Sequence, residues 1–231
     1  LEIATSLIHD AGLEIITSEP LINYRETVSV ASEPIMAKSP NRHNKIFMKV
    51  EPLEPEIAEM CRRGELSEMK DKKEMIKILR DHGWEPDVAK KVMRFDSRGN
   101  VMINGTKGVQ FIDESSDSIL TGFDDVMKEG PLAREQMRNC KFTFTHFVPH
   151  EDTAHRGLSQ LGPASRRACL GSTILAKPVV LEPILGIEVR VPQDLVGNVA
   201  SVISGKRGKV LDMQQKGIVN IVIGEVPASE T

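Results

Sequence analysis

The 231-residue chain is long enough for one large domain or for a medium domain with smaller pieces, and its 40% hydrophobic and 27% charged residues are typical of a globular protein. A net charge of −3 argues against a protein that coats nucleic acid through bulk charge, so any RNA contact must come from local basic patches. Three widely spaced cysteines indicate reduced thiols instead of a disulfide framework, and no apolar stretch approaches the roughly 20 residues that span a bilayer.

The first residues follow a short helix and strand pattern. Apolar residues recur at helical spacing over 1–11, and 13–16 is predicted to be a short strand. A piece of this size is too small to fold alone, so we expect 1–22 to complete an earlier domain. Because the chain begins without Met and ends just after a predicted strand, we expect a fragment of a longer protein.

Strand and helix patterns fill the middle of the chain. Between Met36 and Lys49 there are four basic residues and no acid, in and around a Pro- and Asn-containing loop at 37–45. Residues 54–94 mix charges of both signs at helical spacing, which predicts a solvated helical insertion. The other predicted elements are strands at 24–31 and 45–50 flanking the loop, strands at 101–103 and 141–148, and helices at 114–128 and 163–176.

The C-terminal part follows a β-α-β-β order. A Pro-containing stretch at 176–183 indicates a boundary, and a strand at 184–191 begins a new unit. A helix at 192–204 and strands at 209–213 and 218–223 complete most of a ferredoxin-like split β-α-β unit, without its second helix and last strand. The whole pattern is therefore α+β.

A histidine-rich loop is predicted within 146–167, between a strand and a helix. This segment holds three of the six histidines, His146, His150 and His155. Metal binding is one interpretation, but His150 and His155 are one residue too far apart for an HExxH motif. Acid–base catalysis is a second, with His155 oriented by Asp152, but no nucleophile motif such as GxSxG accompanies it.

Phosphate contact is a further interpretation. The GTKG segment at 105–108 fails the Walker spacing and is predicted to be a turn, and the GKRG segment at 205–208 is a weak candidate for RNA phosphate contact. If the loops at 38–45 and 150–157 lie side by side at the end of one sheet, they form a basic knob suited to phosphate and 2′-OH contacts. A pair of solvated loops without a binding role is the alternative.

Several motifs occur in a fixed order. They are Tyr24-Arg25-Glu26-Thr27, Lys38-Ser39-Pro40-Asn41-Arg42-His43-Asn44, Gly122-Phe123, Glu129-Gly130-Pro131-Leu132, His150-Glu151-Asp152-Thr153-Ala154-His155-Arg156-Gly157 and Lys206-Arg207-Gly208. In these motifs, and over essentially all of its length, the chain resembles the translation elongation factor 2 family, the archaeal and eukaryotic ribosomal translocases. Each motif alone is weak evidence, whereas the ordered set is strong evidence.

The resemblance implies a domain order and a fold. Domain IV of this family is expected to be an α+β fold like domain 2 of ribosomal protein S5, and a partial ferredoxin-like domain follows it. The implied parts are the tail of domain III at 1–22, domain IV at 23–180 with tip loops at 37–45 and 149–160 and a helical insertion at 54–94, and the first part of domain V at 181–231.

The resemblance also implies site residues. His155 occupies the histidine of the family's HRG motif, which is modified to diphthamide, and Leu158 follows where the family usually carries a small residue. Phosphate contacts are expected from Lys38, Arg42, Lys45 and Arg156. The complete set of expected RNA-contacting tip residues is Lys38, Pro40, Asn41, Arg42, His43, Asn44, Lys45, His150, Asp152, Arg156 and Gly157.

The function implied by the resemblance is GTP-dependent ribosomal translocation, with the domain IV tip at the tRNA–mRNA duplex in the decoding centre. The implied partners are the ribosome, tRNA, mRNA and the diphthamide-synthesis enzymes, for a cytoplasmic monomer without membrane contact. No catalytic residue, metal or cofactor is expected in this chain, because GTP and Mg²⁺ would bind a G domain that it lacks. The alternative is a metal-dependent hydrolase built on His146, His150 and His155.

Overall fold

The computed structural model describes residues 21–231, which contain two compact units, Tyr24–Leu181 and Glu182–Thr231. The helix and strand predicted within 1–16, and most of the predicted tail of domain III at 1–22, lie outside the described residues. Both units combine helices with β-sheet, which confirms the α+β class.

The first unit contains a five-stranded sheet and a two-stranded sheet. Its strands are β1 (Arg25–Val28), β2 (Ile35–Lys38), β3 (Lys45–Pro52), β4 (Val92–Asp96), β5 (Asn100–Asn104), β6 (Cys140–Val148) and β7 (Pro178–Leu181). Its helices are α1 (Pro55–Arg62), α2 (Lys72–Asp81), α3 (Pro86–Ala89), α4 (Ile112–Lys128) and α5 (Leu158–Leu175), with a 3₁₀ turn at Thr153–His155. The large sheet has the order β2-β3-β6-β5-β4, in which only the β5–β6 pair is parallel.

Both faces of the five-stranded sheet are covered. The central part of β5 demonstrates this, because Met102 belongs to one buried cluster while Val101 and Ile103 belong to another. On the first face, α4 and α5 cover the sheet, and Phe123 meets Phe142 edge to face with 5.6 Å between ring centroids. Helices α1 to α3 cover the second face.

The region 54–94 differs from the solvated helical insertion that we predicted. Ile57 from α1 and Met75 and Leu79 from α2 are buried with Trp84 in the second cluster. The charged residues lie on the outer sides of these amphipathic helices, and the apolar residues of the same helices are buried against the sheet. The mixed-charge composition therefore suggested a solvated segment although the region contains a core. The end of the region is also not helical, because β4 pairs with β5 as an antiparallel strand.

The two strands predicted at 24–31 and 45–50, on either side of the loop, do not pair with each other. The strand that pairs with β3 in a hairpin is β2, whereas β1 pairs with β7. The fully buried carboxylate of Glu26 stabilises this position of β1, because it accepts three backbone hydrogen bonds of 2.8–3.0 Å from the loop after α4. That loop lies more than 100 residues away in sequence, so no local pattern could indicate the contact.

Helix α5 begins at Leu158, before its predicted start at Pro163. Proline is common in the first turn of a helix, which is why the sequence suggested a later beginning. In the structure Pro163 lies inside the helix, and Gly157 is the N-cap residue. The loop before α5 is therefore shorter than the predicted segment 149–160. The neighbouring predictions of a helix at 114–128 and a strand at 141–148 are confirmed by α4 and β6.

The second unit has the predicted β-α-β-β order. Its elements are β8 (Ile184–Val191), α6 (Val196–Gly205), β9 (Lys209–Lys216) and β10 (Val219–Pro227), with 3₁₀ turns at Gln193–Leu195 and Ala228–Glu230. The strand order β8-β10-β9 is antiparallel throughout. The later strands are longer than predicted, and the buried residues of the core cluster are Ile203, Val222 and Val226. Across both units, none of the described helices has the length and apolar character needed to cross a bilayer.

Candidate functional site

Two loops meet at one end of the five-stranded sheet. The tip hairpin, residues 39–44, joins β2 to β3, and the histidine loop, residues 149–157, follows β6. Because Lys45 at the start of β3 lies opposite Val148 at the end of β6, both loops leave the sheet at the same place. The two loops therefore lie side by side, which is the condition stated above for a basic knob.

The side chain of Asn44 joins the two loops. It is fully buried, its Oδ1 accepts a hydrogen bond from the His150 N–H at 2.9 Å, and its Nδ2 donates to the His155 carbonyl at 2.8 Å. The same Nδ2 donates to Ser39 Oγ at 3.1 Å within the tip hairpin. One buried amide thus holds both ends of the 150–155 segment against the hairpin.

Further contacts reinforce the junction from the hairpin and from α5. Asn41 donates from Nδ2 to the His155 carbonyl at 3.1 Å, and its backbone N–H donates to Gln160 Oε1 at 2.9 Å. Arg167 donates from α5 to the Lys38 carbonyl at 2.7 Å. These bonds link the tip hairpin to a long packed helix, so the tip is a pre-organised structure and not a pair of independent loops.

Three imidazole rings converge at the outer side of this junction. His43 stacks on His150 with 5.0 Å between ring centroids, and His155 meets the two rings edge-on at 4.9 and 4.5 Å. His43 is exposed, and His150 and His155 are partly buried. His146 stays on β6, where its exposed ring lies 5.3 Å from that of Phe47. The predicted hydrolase cluster of His146, His150 and His155 is therefore wrong, because the third ring comes from the other loop.

Arg156 does not present its guanidinium to the surface. The residue is only 6% exposed, its guanidinium carbon lies 3.9 Å from the Phe111 ring centroid, and its Nη2 pairs with Glu114 at 3.3 Å. A group enclosed in this way is not available for RNA, so the predicted phosphate contact by Arg156 does not fit the structure. Arg156 instead anchors the histidine loop to α4.

The other predicted tip residues differ in exposure. The exposed ones are Lys38, Pro40, Arg42, His43, Asp152 and Gly157, and the partly exposed ones are Asn41, Lys45, His150 and His155. The buried side chain of Asn44 is enclosed by the protein, which excludes it from the predicted RNA contact. The cations that can reach a partner are therefore Lys38, Arg42 and Lys45, and Arg42 lies at the hairpin turn with a left-handed φ of 64°.

Sequence reasoning missed several residues that hold the tip together. They are Ser39, Phe111, Glu114, Gln160 and Arg167. Ser39 belongs to the motif Lys38-Ser39-Pro40-Asn41-Arg42-His43-Asn44, and membership of that motif was its only signal in the sequence. The other contacts join residues separated by between 42 and 129 positions, so local pattern and composition carry no trace of them.

The remaining phosphate candidates are engaged in local contacts. In the GTKG segment, the backbone N–H and hydroxyl of Thr106 donate to Asn104 Oδ1 at 3.0 and 2.7 Å. In the GKRG segment, Arg207 pairs with Glu182 at 3.2 Å and with Glu230 at 2.7 Å. The pKa of the Glu182 carboxyl lies below its ordinary value, first because the Ser229 hydroxyl donates a hydrogen bond to it and second because Arg207 pairs with it. The guanidinium of Arg207 is therefore already paired with carboxylates, whereas the contacts of the GTKG segment tie Thr106 to Asn104.

Comparisons with known proteins identify two matching families and a group of similar chains. The family model described as elongation factor G, domain IV, matches residues 65–177, and the model described as elongation factor G C-terminus matches 179–231. The chain is 71% identical over 231 residues to elongation factor 2 of Cenarchaeum symbiosum. It is 43% identical over 233 residues to elongation factor 2 of both Sulfurisphaera tokodaii and Metallosphaera sedula. In each case the whole chain is covered, and it spans 32% of the length of the relative.

Proposed function

This chain belongs to the elongation factor 2 family of translation factors, and from that premise we propose that it acts within a ribosomal translocase. In the proposal, the whole factor moves tRNA and mRNA through the ribosome with GTP, and the GTP is bound and hydrolysed by a G domain outside these 231 residues. The chain itself contributes no catalytic residue. The factor works as a monomer in the cytoplasm.

The proposed contact is between the tip and the tRNA–mRNA duplex in the decoding centre of the small subunit. The observation that carries it is the buried junction beneath an exposed cap of cations and imidazoles. Lys38, Arg42 and Lys45 would bind phosphates, and His43 and His155 would donate or accept hydrogen bonds at the 2′-hydroxyls and bases. The near-neutral remainder of the chain would not bind RNA by bulk charge, so the contact is confined to the tip.

Rigidity is what allows such a tip to keep a codon paired with its anticodon. A mobile loop would lose conformational entropy on binding, whereas this tip is already fixed by Asn44, Gln160 and Arg167. In this proposal Arg156 is a positioning residue, because the contacts of its buried side chain with Phe111 and Glu114 orient the neighbouring His155. The charge at the tip then meets RNA without reorganisation.

Charge reversal at the tip tests the proposed RNA contact. In the full-length factor, Arg42→Glu is expected to slow ribosomal translocation at least about fivefold, which corresponds to about 1 kcal/mol of activation free energy. Single-turnover translocation of a fluorescent mRNA measures the rate. Lys73→Glu is the matched control, since Lys73 is an exposed lysine on α2 outside the tip. Equal rates for the two variants would contradict the proposal.

We also propose that His155 is the site of diphthamide synthesis. The loop network uses the His155 carbonyl and not its imidazole, so His155→Ala preserves the fold and removes the acceptor. When the chain is incubated with the diphthamide-synthesis enzymes, the wild type should gain the adduct mass and His155→Ala should gain none. Peptide mass spectrometry locates the adduct, and His150→Ala should remain modified. An adduct on any residue other than His155 would overturn this assignment.

A further inference from the structure

We propose that His43, His150 and His155 form a binding site for one divalent transition-metal ion, with Zn²⁺ as the representative case. The site requires both loops, because His43 comes from the tip hairpin and the other two come from the histidine loop. This inference does not rest on the proposed ribosomal role, since it concerns only the chemistry of three side chains. A bound ion would join the loops and add two positive charges to the tip.

The geometry suits a three-histidine site. One ring nitrogen from each of the three residues can be chosen so that all three atoms lie within 4.8 Å of one another. Three imidazoles on a tetrahedral Zn²⁺ require nitrogen–nitrogen distances of about 3.3 Å, given Zn–N bonds of about 2.0–2.1 Å. The rings therefore need to close by about 1.5 Å at most. Small rotations of the three side chains can supply this change, and His43 has the most freedom to rotate because its side chain is exposed.

The backbones that carry the histidines are already fixed. The His43 N–H donates to Asn41 Oδ1 at 3.1 Å, the His150 N–H donates to Asn44 Oδ1 at 2.9 Å, and the His155 carbonyl accepts from Asn44. Binding of an ion would therefore cause little further loss of conformational entropy in the loops. Pre-organisation of this kind separates a metal site from a chance grouping of surface histidines.

The hydrogen bonds at the ring nitrogens leave room for coordination. His150 Nδ1 accepts the Asp152 N–H at 3.1 Å, so the neutral ring carries its proton on Nε2. Coordination through Nδ1 replaces this one hydrogen bond and leaves the Nε2 proton in place. Among the hydrogen bonds of residues 21–231, none involves a ring nitrogen of His43 or His155, so both can coordinate without losing a protein partner.

The donor set determines the class of ion. Three neutral imidazoles favour Zn²⁺, Ni²⁺, Cu²⁺ or Co²⁺, whereas Mg²⁺ and Ca²⁺ prefer oxygen ligands. The nearby Asp152 carboxylate already accepts the Ala154 N–H at 2.9 Å as the cap of the 3₁₀ turn. Because His43 is exposed, water can complete the coordination sphere, which makes this an open site and not a closed structural one.

The cysteines of the chain do not compete for the ion. Cys61, Cys140 and Cys169 are buried, and burial raises the pKa of each thiol to about 12. A thiol with so high a pKa is not the thiolate that Zn²⁺ requires. Binding measured near neutral pH should therefore report on histidine.

Calorimetric titration of the 231-residue chain with Zn²⁺ tests the proposal. The wild type should bind one ion at the tip, and His43→Ala and His155→Ala should each weaken binding by at least about 10- to 100-fold, the range seen even for loss of outer-shell partners. His146→Ala is the matched control, because it removes an exposed histidine that lies outside the cluster, and it should bind as the wild type does. Circular dichroism checks that each variant is folded.

A second measurement locates the ion independently of affinity. Histidine ring signals in heteronuclear NMR spectra should shift or broaden for His43, His150 and His155 when Co²⁺ is added, and those of His146 should change much less. The proposal is overturned if the wild type takes up no ion, if folded His43→Ala and His155→Ala bind as tightly as wild type, or if His146→Ala weakens binding equally. None of these outcomes depends on ribosome activity, so the site and the translocase role can fail separately.

Discussion

Replacing Gly122 with alanine is expected to destabilise the unit Tyr24–Leu181 by about 2–3 kcal/mol. Gly122 lies in α4 where this helix contacts α5, and a Cβ atom there meets the Gly162 carbonyl oxygen, the Arg166 nitrogen at 2.6 Å and Ser165 Cβ at 2.7 Å. Two of these atoms belong to the α5 backbone, so the helices must separate. The helix propensity of alanine, about 1 kcal/mol better than that of glycine, offsets only part of the loss.

Urea denaturation followed by Trp84 fluorescence measures this effect, because Trp84 is the only tryptophan and lies in the same unit. Gly162→Ala is the matched control on the facing helix. A Cβ at Gly162 makes only ordinary contacts, with Leu158 Cδ1 at 3.4 Å and the Ser118 carbonyl at 3.7 Å. That variant should be neutral or more stable by up to about 1 kcal/mol. If Gly122→Ala is as stable as Gly162→Ala, the close helix contact is not as described.

Replacing Asn44 with alanine is expected to cost about 3 kcal/mol and to release the histidine loop. The substitution leaves the His150 N–H without its partner and removes one of two donors to the His155 carbonyl. A buried polar group without a partner costs about 1–3 kcal/mol, and two groups are affected here. The same denaturation experiment measures the loss of stability, and amide hydrogen exchange at His150 measures the opening of the loop.

Asn41→Ala is the control for the Asn44 variant. Asn41 donates to the same His155 carbonyl, but it is partly exposed, so water can take its place. A loss below about 1 kcal/mol is expected, together with little change in exchange at His150. Comparable losses for the two variants would show that burial of Asn44 is not what holds the loops together.

Both substitutions affect the packing and hydrogen bonds that connect the core to the tip. Helix α5 carries Gln160 and Arg167, which bind the tip hairpin, so a shift of α5 at Gly122 also displaces these contacts. Asn44 lies directly between the two tip loops and joins them by hydrogen bonds. If the tip contacts RNA as proposed, both variants should therefore weaken that contact, although neither residue faces a partner.

Strongly periodic segments were predicted well from the sequence. The helix α4, the strand β6 and the strand β8 agree with the predicted segments 114–128, 141–148 and 184–191 to within two residues at each end. In each, one apolar pattern continues over most of the element, and local propensity agrees with the tertiary environment. The sequence also raised the adjacency of the two tip loops as a condition for a basic knob, and the pairing of β3 with β6 meets that condition.

The errors arose where a distant contact overrides the local pattern. Pro163 suggested a helix start, but helix α5 begins earlier and includes it. The charged segment 54–94 concealed a second core, because its few apolar residues become one cluster only after three helices fold onto the sheet. Arg156 was expected at the surface, but Phe111 and Glu114 enclose it.

Pattern and motifs were enough to predict the α+β class, the main helices and strands, the resemblance to elongation factor 2 and the two loops of the tip. Which tip residues can meet a partner depends on how the folded chain packs around them. Asn44 follows Arg42 and His43 in one tip motif, and Arg156 follows His155 in the other, yet Asn44 and Arg156 are buried whereas Arg42 and His43 are exposed. The physical reason is that exposure depends on what packs against a side chain, and the partners of Asn44 and Arg156 come from segments far away in the chain. The same long-range packing placed His43, and not His146, beside His150 and His155.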